Sequence, residues 1–271
     1  MVSLFLCGRM RNSLYVYSQM HLMRFRLFII MSICMLLQAY GVAAQSLEDV
    51  VIPRGMTSQV IYHSNFTTSW NYDLKIPNWV SWSIEPSELA KTVSRGNTQF
   101  TPDPAARGEV STMDYSRSGY DRGHMCPAAD NRYDAAAMAE SFYLSNVCPQ
   151  DHTLNEQTWN VLENACRSWA QYGTVWIVCG PWFDGAPDKR IGWNEVAVPH
   201  GFWKVVLRNY RGAWQAIGFI FKNEAITDSW RNYAVSVDEV ETLTGLDFFS
   251  ALDDDVESEV ESTFSLASWR Y

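Results

Sequence analysis

The chain has 271 residues, with 21 Lys and Arg against 30 Asp and Glu, giving a formal net charge of −9 at pH 7. That length suffices for one domain with a sizeable core. The acidity excludes a generally basic surface coated by nucleic acid, so any polyanion partner has to be met by local cations.

The first 44 residues read as a leader. Arg24 and Arg26 form a basic start, Leu27 to Leu37 an apolar core, and Val42-Ala43-Ala44 a small-residue cleavage site. This is the layout of a secretory signal peptide cut after Ala44, with the true start expected at Met20 or Met23. A membrane anchor is the rival, because the apolar stretch approaches spanning length. Gln38, Tyr40 and Gly41 interrupt it. The expectation is a secreted or periplasmic domain, 45–271, with no stable membrane association after cleavage. Losing the four leader arginines leaves 17 of the 21 basic residues against 30 acidic ones, a net charge of −13. Cys126, Cys148, Cys166 and Cys179 remain, and an even number in an exported chain predicts disulfides.

No repeat, low-complexity linker or composition break follows residue 44. Short apolar or aromatic runs, 58–64 and 79–84, are punctuated by Pro77, Pro86, Pro102 and Pro104, which read as turns. Helical patterns follow over 133–145 and 155–173; in the second, Trp159, Leu162, Cys166 and Trp169 recur at helical spacing and Gly173 ends the run. Strands are predicted at 174–180, 195–199, 202–208 and 214–221, then a short helix opened by the capping pair Ser236 and Glu239. The acidic run 253–261 reads as a solvated terminal helix or tail. Strands flanking central helices give an α+β class. Most of the twelve tryptophans, all in the mature chain, are expected in the core.

The stretch Gly119 to Asn131, GYDRGHMCPAADN, concentrates the chemistry. His124 has three readings. It is structural, or it joins Cys126, Cys148 and His152 in a zinc site, or it serves phosphodiester hydrolysis. Hydrolysis needs a base near neutral pH, a cation for the developing charge and support for the leaving oxygen. A histidine supplies the base, and Arg122 offers a planar fork matched to phosphate oxygens. Asn155 is read as opening a helix, where backbone N–H groups favour phosphate, and its carbonyl oxygen suits magnesium. Glu163, eight residues on and about 12 Å along an ideal helix, is too far to share the ion directly. An unperturbed His124 sets the acid limb of kcat/KM at roughly pH 6 to 7, pushed down by nearby cations and up by Asp121.

The ordered strings DRGH (121–124), SNVCPQ (145–150), LN (154–155), Trp159 and LE (162–163) resemble the DNA/RNA non-specific endonucleases, the ββα-metal group. The likeness continues through VWIVCGPWF (175–183) and VAVPHGFWKVV (196–206) to VETLTGLDFF (240–249), about residues 59 to 250. The resemblance implies a central antiparallel sheet with flanking helices, and hydrolysis of DNA and RNA with little sequence preference, leaving 5′-phosphate ends. It implies Mg2+, with Mn2+ or another divalent ion as substitutes. His124 would be the general base, at the end of a hairpin and facing Asn155, the metal ligand. Glu163 would orient metal waters, and Arg122 and Asn146 would position the site or substrate. The segment 94–104 makes Arg95 the phosphate contact, ahead of Phe100 and Asp103. Lys204 either joins Arg95 and Arg122 in a positive groove or is a solvent-exposed strand residue. If the compartment is oxidising, the favoured disulfides are Cys126–Cys148, tying the hairpin to the approach of the helix, and Cys166–Cys179, tying that helix to the following strand. A homodimer and an inhibitor protein are partners the sequence does not specify. The reading from a different class is an exported nucleic-acid-binding protein that has lost catalysis.

Overall fold

The computed structural model describes Leu47 and residues 50–269. The leader and its cleavage site lie outside the described residues. Strands β1 (Gln59–Tyr62), β2 (Phe66–Asn71), β3 (Ile76–Ile84), β6 (Val175–Trp182), β9 (Gly201–Tyr210), β10 (Ala213–Lys222) and β11 (Ala234–Val235) form one sheet in the order β1-β2-β3-β6-β9-β10-β11. Every neighbouring pair in it is antiparallel. Two small sheets join β4 (Asp121–His124) to β5 (Val147–Gln150), and β7 (Arg190–Ile191) to β8 (Val196–Ala197).

β9 explains why the sheet sits in the middle. Its residues 201–208 are all buried, and they divide by the two-residue period of a strand. Phe202 and Val206 join a core with Trp159, Leu162 and Trp82; Trp203, Val205 and Leu207 join another with Val237, Val240, Phe248 and Val260. A strand buried on both faces needs this near-continuous apolar run. On the first face lies α2, an α-helical turn His152–Leu154, a π segment Asn155–Trp159 and an α-helical stretch Asn160–Trp169. α1 (Ala135–Glu140) belongs to the β4–β5 connection. On the second face lie α3 (Val237–Thr244) and α4 (Asp254–Ser262). Ser236 and Glu239 form the expected capping box on α3. A Cβ at Gly218 would press on the Ser236 carbonyl and the Val240 side chain, so glycine there lets α3 settle onto β10. Trp70, Trp79, Trp82, Trp159, Trp169, Trp203, Trp230 and Trp269 are buried, which puts most of the tryptophans in the core as expected. Among the described residues no helix is long and apolar enough to cross a membrane.

Several local expectations change. Pro77 is no turn: it lies inside β3 opposite Trp70, where a register shift between Ser69 and Trp70 absorbs its missing N–H. The helix expected over 133–145 ends at Glu140. Beyond it, the carbonyl of Phe142 accepts from Thr101 N and Leu144 N donates to the carbonyl of Thr101, at 3.1 and 3.0 Å. The strand expected over 195–199 shrinks to two residues of β8.

The expected disulfides are absent. Cys126, Cys148, Cys166 and Cys179 are four separate, buried thiols. Cys126 Sγ accepts from Asn131 Nδ2 at 3.3 Å, and Cys179 Sγ faces the Met125 carbonyl at 3.5 Å. Burial pushes the Cys166 and Cys179 thiols up to about 12, which leaves little thiolate for exchange. Denatured, unreduced protein should therefore titrate with four thiols from these positions, and folded protein with almost none on the same timescale; a count near zero after denaturation would restore the two disulfides.

Candidate active site

β4 and β5 pair antiparallel, with Gly123 opposite Cys148 and His124 opposite Val147. Residues 125–146 connect them, so the unit is a strand pair with a long connection rather than a tight hairpin. A Cβ at Gly123 would run into the Gln150 side chain, so close packing demands the glycine of the DRGH motif. α2 follows β5 at once. Asp151 caps it, its Oδ1 accepting from Thr153 N at 2.8 Å and Leu154 N at 3.1 Å. The Asn155 backbone N–H donates to the Asp151 carbonyl at 2.9 Å. Asn155 therefore does not open the helix, and a carboxylate fills the place expected for phosphate. Asn223 fastens this junction: its Oδ1 accepts from Asp151 N at 2.7 Å, and its Nδ2 donates to the carbonyls of Pro149 and Pro199, each at 3.0 Å. No sequence signal marks Asn223.

Asp121 joins the strand to the helix. Its Oδ2 lies 2.9 Å from His152 Nδ1 and accepts from Asn155 Nδ2 at 3.0 Å. His152 and Asn155 are three residues apart, one face of a helix, so a single oxygen reaches both. With its Nδ2 committed, the Asn155 amide turns its carbonyl oxygen away from Asp121, and no hydrogen bond engages that oxygen. A neutral, hard oxygen of this kind suits a divalent cation that keeps several waters, so the residues present fit the metal the resemblance implies. The Asp121 hydrogen bond and charge raise the His152 pKa.

The π segment begins at Asn155. Eight residues of straight α-helix would turn Asn155 and Glu163 about 80° apart. A π turn absorbs one residue, so the effective spacing is seven and the two come within about 20° of one face. Their separation along the axis falls to about 10 Å. Burial pushes the Glu163 carboxyl up to about 7, against the lowering pull of Lys204 and Arg167.

His124 projects into a different set of neighbours. Phe100 and Phe142 wall it in, with ring centroids 4.9 and 5.0 Å away and Phe142 edge-on. The Arg122 guanidinium lies over Phe100 at 5.1 Å and that of Arg95 over Phe142 at 4.9 Å. Both arginines are exposed. The segment carrying Arg95 is held by the Thr101 backbone bonds to Phe142 and Leu144, and by Asp103, which accepts from Ser145 Oγ. His124 Nε2 is enclosed without a hydrogen-bond partner. Burial, then the charge of Arg95, pushes the imidazole down to about 3. Asp121 is engaged with the helix and does not offset this, so the acid limb expected at pH 6 to 7 moves lower. No hydrogen bond joins His124 to Asn155; they meet through β4.

Three expectations are corrected here. Asn146 is fully buried and touches no open surface. Its Oδ1 accepts from Cys126 N, and its Nδ2 donates to the carbonyls of Cys126 and Ser141, all at 2.8 Å. It positions the backbone after His124, which fits the site-positioning alternative, and the substrate contact is the part that is corrected. Lys204 is also fully buried. Its Nζ lies 4.3 Å from the centre of the Trp159 ring and 5.0 Å from that of Trp82, facing the inner side of α2. It lines no groove and is not solvent-exposed. The zinc set does not assemble: His152 is exposed and bonded to Asp121, while Cys126 and Cys148 are buried, and the four side chains do not converge.

Two expectations follow for experiment. The free-enzyme acid limb of kcat/KM should lie below about pH 6, because a depressed pKa keeps His124 neutral to lower pH. Arg95→Gln should move that limb upward by removing a positive neighbour, which a pH–rate profile reads directly. Lys204 Nζ is enclosed without a hydrogen-bond partner, so Lys204→Met, which keeps the volume and removes a buried charge, should hold or raise fold stability in a denaturant titration. The salt slope of substrate binding should not change, whereas a groove lysine would alter it by about one.

The model of the DNA/RNA non-specific endonuclease family matches residues 44–255. Mitochondrial nuclease EXOG of Homo sapiens is 36% identical over 211 residues, covering 70% of this chain and 57% of the relative. A nuclease of Nostoc sp. is 34% identical over 213 residues, covering 73% and 76%. The chain thus spans little more than half the length of the human relative. A chain in the crystal structure of the EndoG/EndoGI complex superposes with a TM-score of 0.69 at 29% identity, over 72% of this chain and 87% of that one. The sheet, the β4–β5–α2 unit and these matches agree: the chain belongs to the DNA/RNA non-specific endonuclease family.

Proposed function

We propose that the protein is a secreted or periplasmic hydrolase that cuts phosphodiester bonds of DNA and RNA with little sequence preference, using a divalent cation, Mg2+ in the first place. The observation that carries this reading is the setting of His124, an imidazole walled by Phe100 and Phe142, over whose rings the exposed guanidiniums of Arg122 and Arg95 lie. His124 takes a proton from water, and the oxygen so activated attacks phosphorus. The 3′ oxygen leaves and the phosphate stays on the 5′ end. Arg95 and Arg122 hold the phosphate oxygens, a contact that follows the backbone rather than the bases. They form the local cationic surface that an acidic protein needs for a polyanion.

The Asn155 carbonyl would hold the cation, which supplies positive charge to the phosphate and the departing oxygen. Asp121 keeps the amide in that orientation, and Glu163 holds water on the same helical face. Asn146 positions the chain after His124, and Lys204 supports α2 from beneath. Export rests on the leader, although the named EXOG relatives are mitochondrial. EndoG is inhibited within the EndoG/EndoGI complex, and by that likeness an inhibitor protein belongs to the proposal. A binding protein without catalysis has no need of an imidazole kept neutral by burial and by the charge of Arg95.

His124→Ala should lower plasmid nicking by about 10²–10⁴-fold while fold and cation binding persist. Asn155→Ala should also lose activity, with raised Mg2+ restoring part of it. Folded His124→Ala protein that nicks at the parental rate would exclude this mechanism, and parental protein inert with every divalent ion would favour the binding protein.

A further inference from the structure

The acidic run 253–261 forms α4, and its last turn is not the solvated surface its composition suggests. Glu261 is only 6% exposed, and its Oε1 is closed to solvent with no hydrogen-bond partner. On α3, Asp238 and Glu241 stand three residues apart, on one helical face. One carboxylate oxygen from each of Asp238, Glu241 and Glu261 lies within 4.8 Å of the other two. We propose that these three side chains form a second divalent-cation site, of the calcium class, joining α3 to α4 on the face of the sheet opposite the ββα unit.

Repulsion makes the cluster costly without a counter-charge. Glu257, four residues before Glu261 on α4, and Asp247 add further negative charge, and burial with Glu241 first among these neighbours pushes the Glu261 carboxyl up to about 9. None of the ion pairs among the described residues brings a Lys, Arg or His to these five acids. A buried carboxylate without a partner is unfavourable by several kcal/mol, and a cation relieves all three at once. Glu241 is already oriented, since its Oε1 accepts from Phe248 N at 2.9 Å. Asp238 is exposed and gives the ion an entrance. Calcium accepts several carboxylates and completes its shell with water, whereas magnesium takes one or two carboxylates and holds its waters tightly. Three carboxylates from two helices favour calcium.

The test uses the full chain, freed of metal and carrying Asn155→Ala so that the cation site proposed there is removed. Calorimetric titration at pH 7.5 should find one Ca2+ per chain, bound about tenfold or more tightly than Mg2+. Unfolding temperature should rise with Ca2+ concentration, since an ion bound only by folded protein stabilises it. Glu261→Gln should abolish the uptake and raise the unfolding temperature of the ion-free protein. Asp238→Asn, on the exposed side, should weaken uptake without threatening the fold. No uptake and no thermal shift at about 10 mM Ca2+ would overturn the proposal, because the cluster would then be holding protons. Uptake unchanged by both substitutions would overturn it too. Two ions in the Asn155→Ala protein, one of them lost with Glu261→Gln, would refute the role of Asn155 and leave this site standing.

Discussion

One carboxylate oxygen, Asp121 Oδ2, sets the relation between the strand and the helix on which the site depends. It takes hydrogen bonds from two positions of α2, so the helix can neither roll nor slide without losing both. It also decides which end of the Asn155 amide points outward. Asp121 and His124 are three positions apart on β4, and an odd separation sends them to opposite faces of a strand. One face of β4 therefore carries the helix and its amide, and the other carries the imidazole with Phe100, Phe142 and the two guanidiniums. Among the described residues β4 pairs only with β5.

How far the sequence revealed this depends on whether each signal was local. The strands β6, β9 and β10 were legible because burial on both faces demands long apolar runs, and α2 because one face repeats at helical spacing. The capping pair at Ser236 was legible because it is a bond between near neighbours. The π segment was not, since nothing in NEQTW distinguishes a turn holding one extra residue. That turn brings Glu163 toward the face of Asn155, a relation that straight-helix counting misses.

Lys204 was misread although its signal was present. A lysine in the middle of FWKVVLR interrupts a run with no polar alternation, and such a run has no solvent face. The disulfides were not legible for another reason: a leader speaks only to the compartment, while the positions of the sulfurs depend on contacts distant in sequence. Arg95 depends on a contact distant in sequence as well: the Thr101 pairing to Phe142 and Leu144 brings its loop against His124. Asp121 stood inside the motif, but its role could be seen only once the helix was beside it.

Two carboxylates, Glu163 and Glu261, show how the two faces of the sheet handle buried charge. Each has a pKa above the ordinary 4.5, so each favours the folded state while protonated. Below about 4.5 that contribution is complete; as pH rises toward the folded value the unfolded chain releases its proton first and the contribution drains away. For Glu163 the window ends near 7, because Lys204 and Arg167 draw the value down. For Glu261 it extends to about 9, because burial raises the value and the acidic neighbours raise it further. α2 thus has counter-charges fixed beside it, Lys204 of β9 beneath and Arg167, paired with Asp130, along it. α3 and α4 carry no such residue, and among the described residues no ion pair reaches their acidic junction, the place where the proposed cation would supply the positive charge.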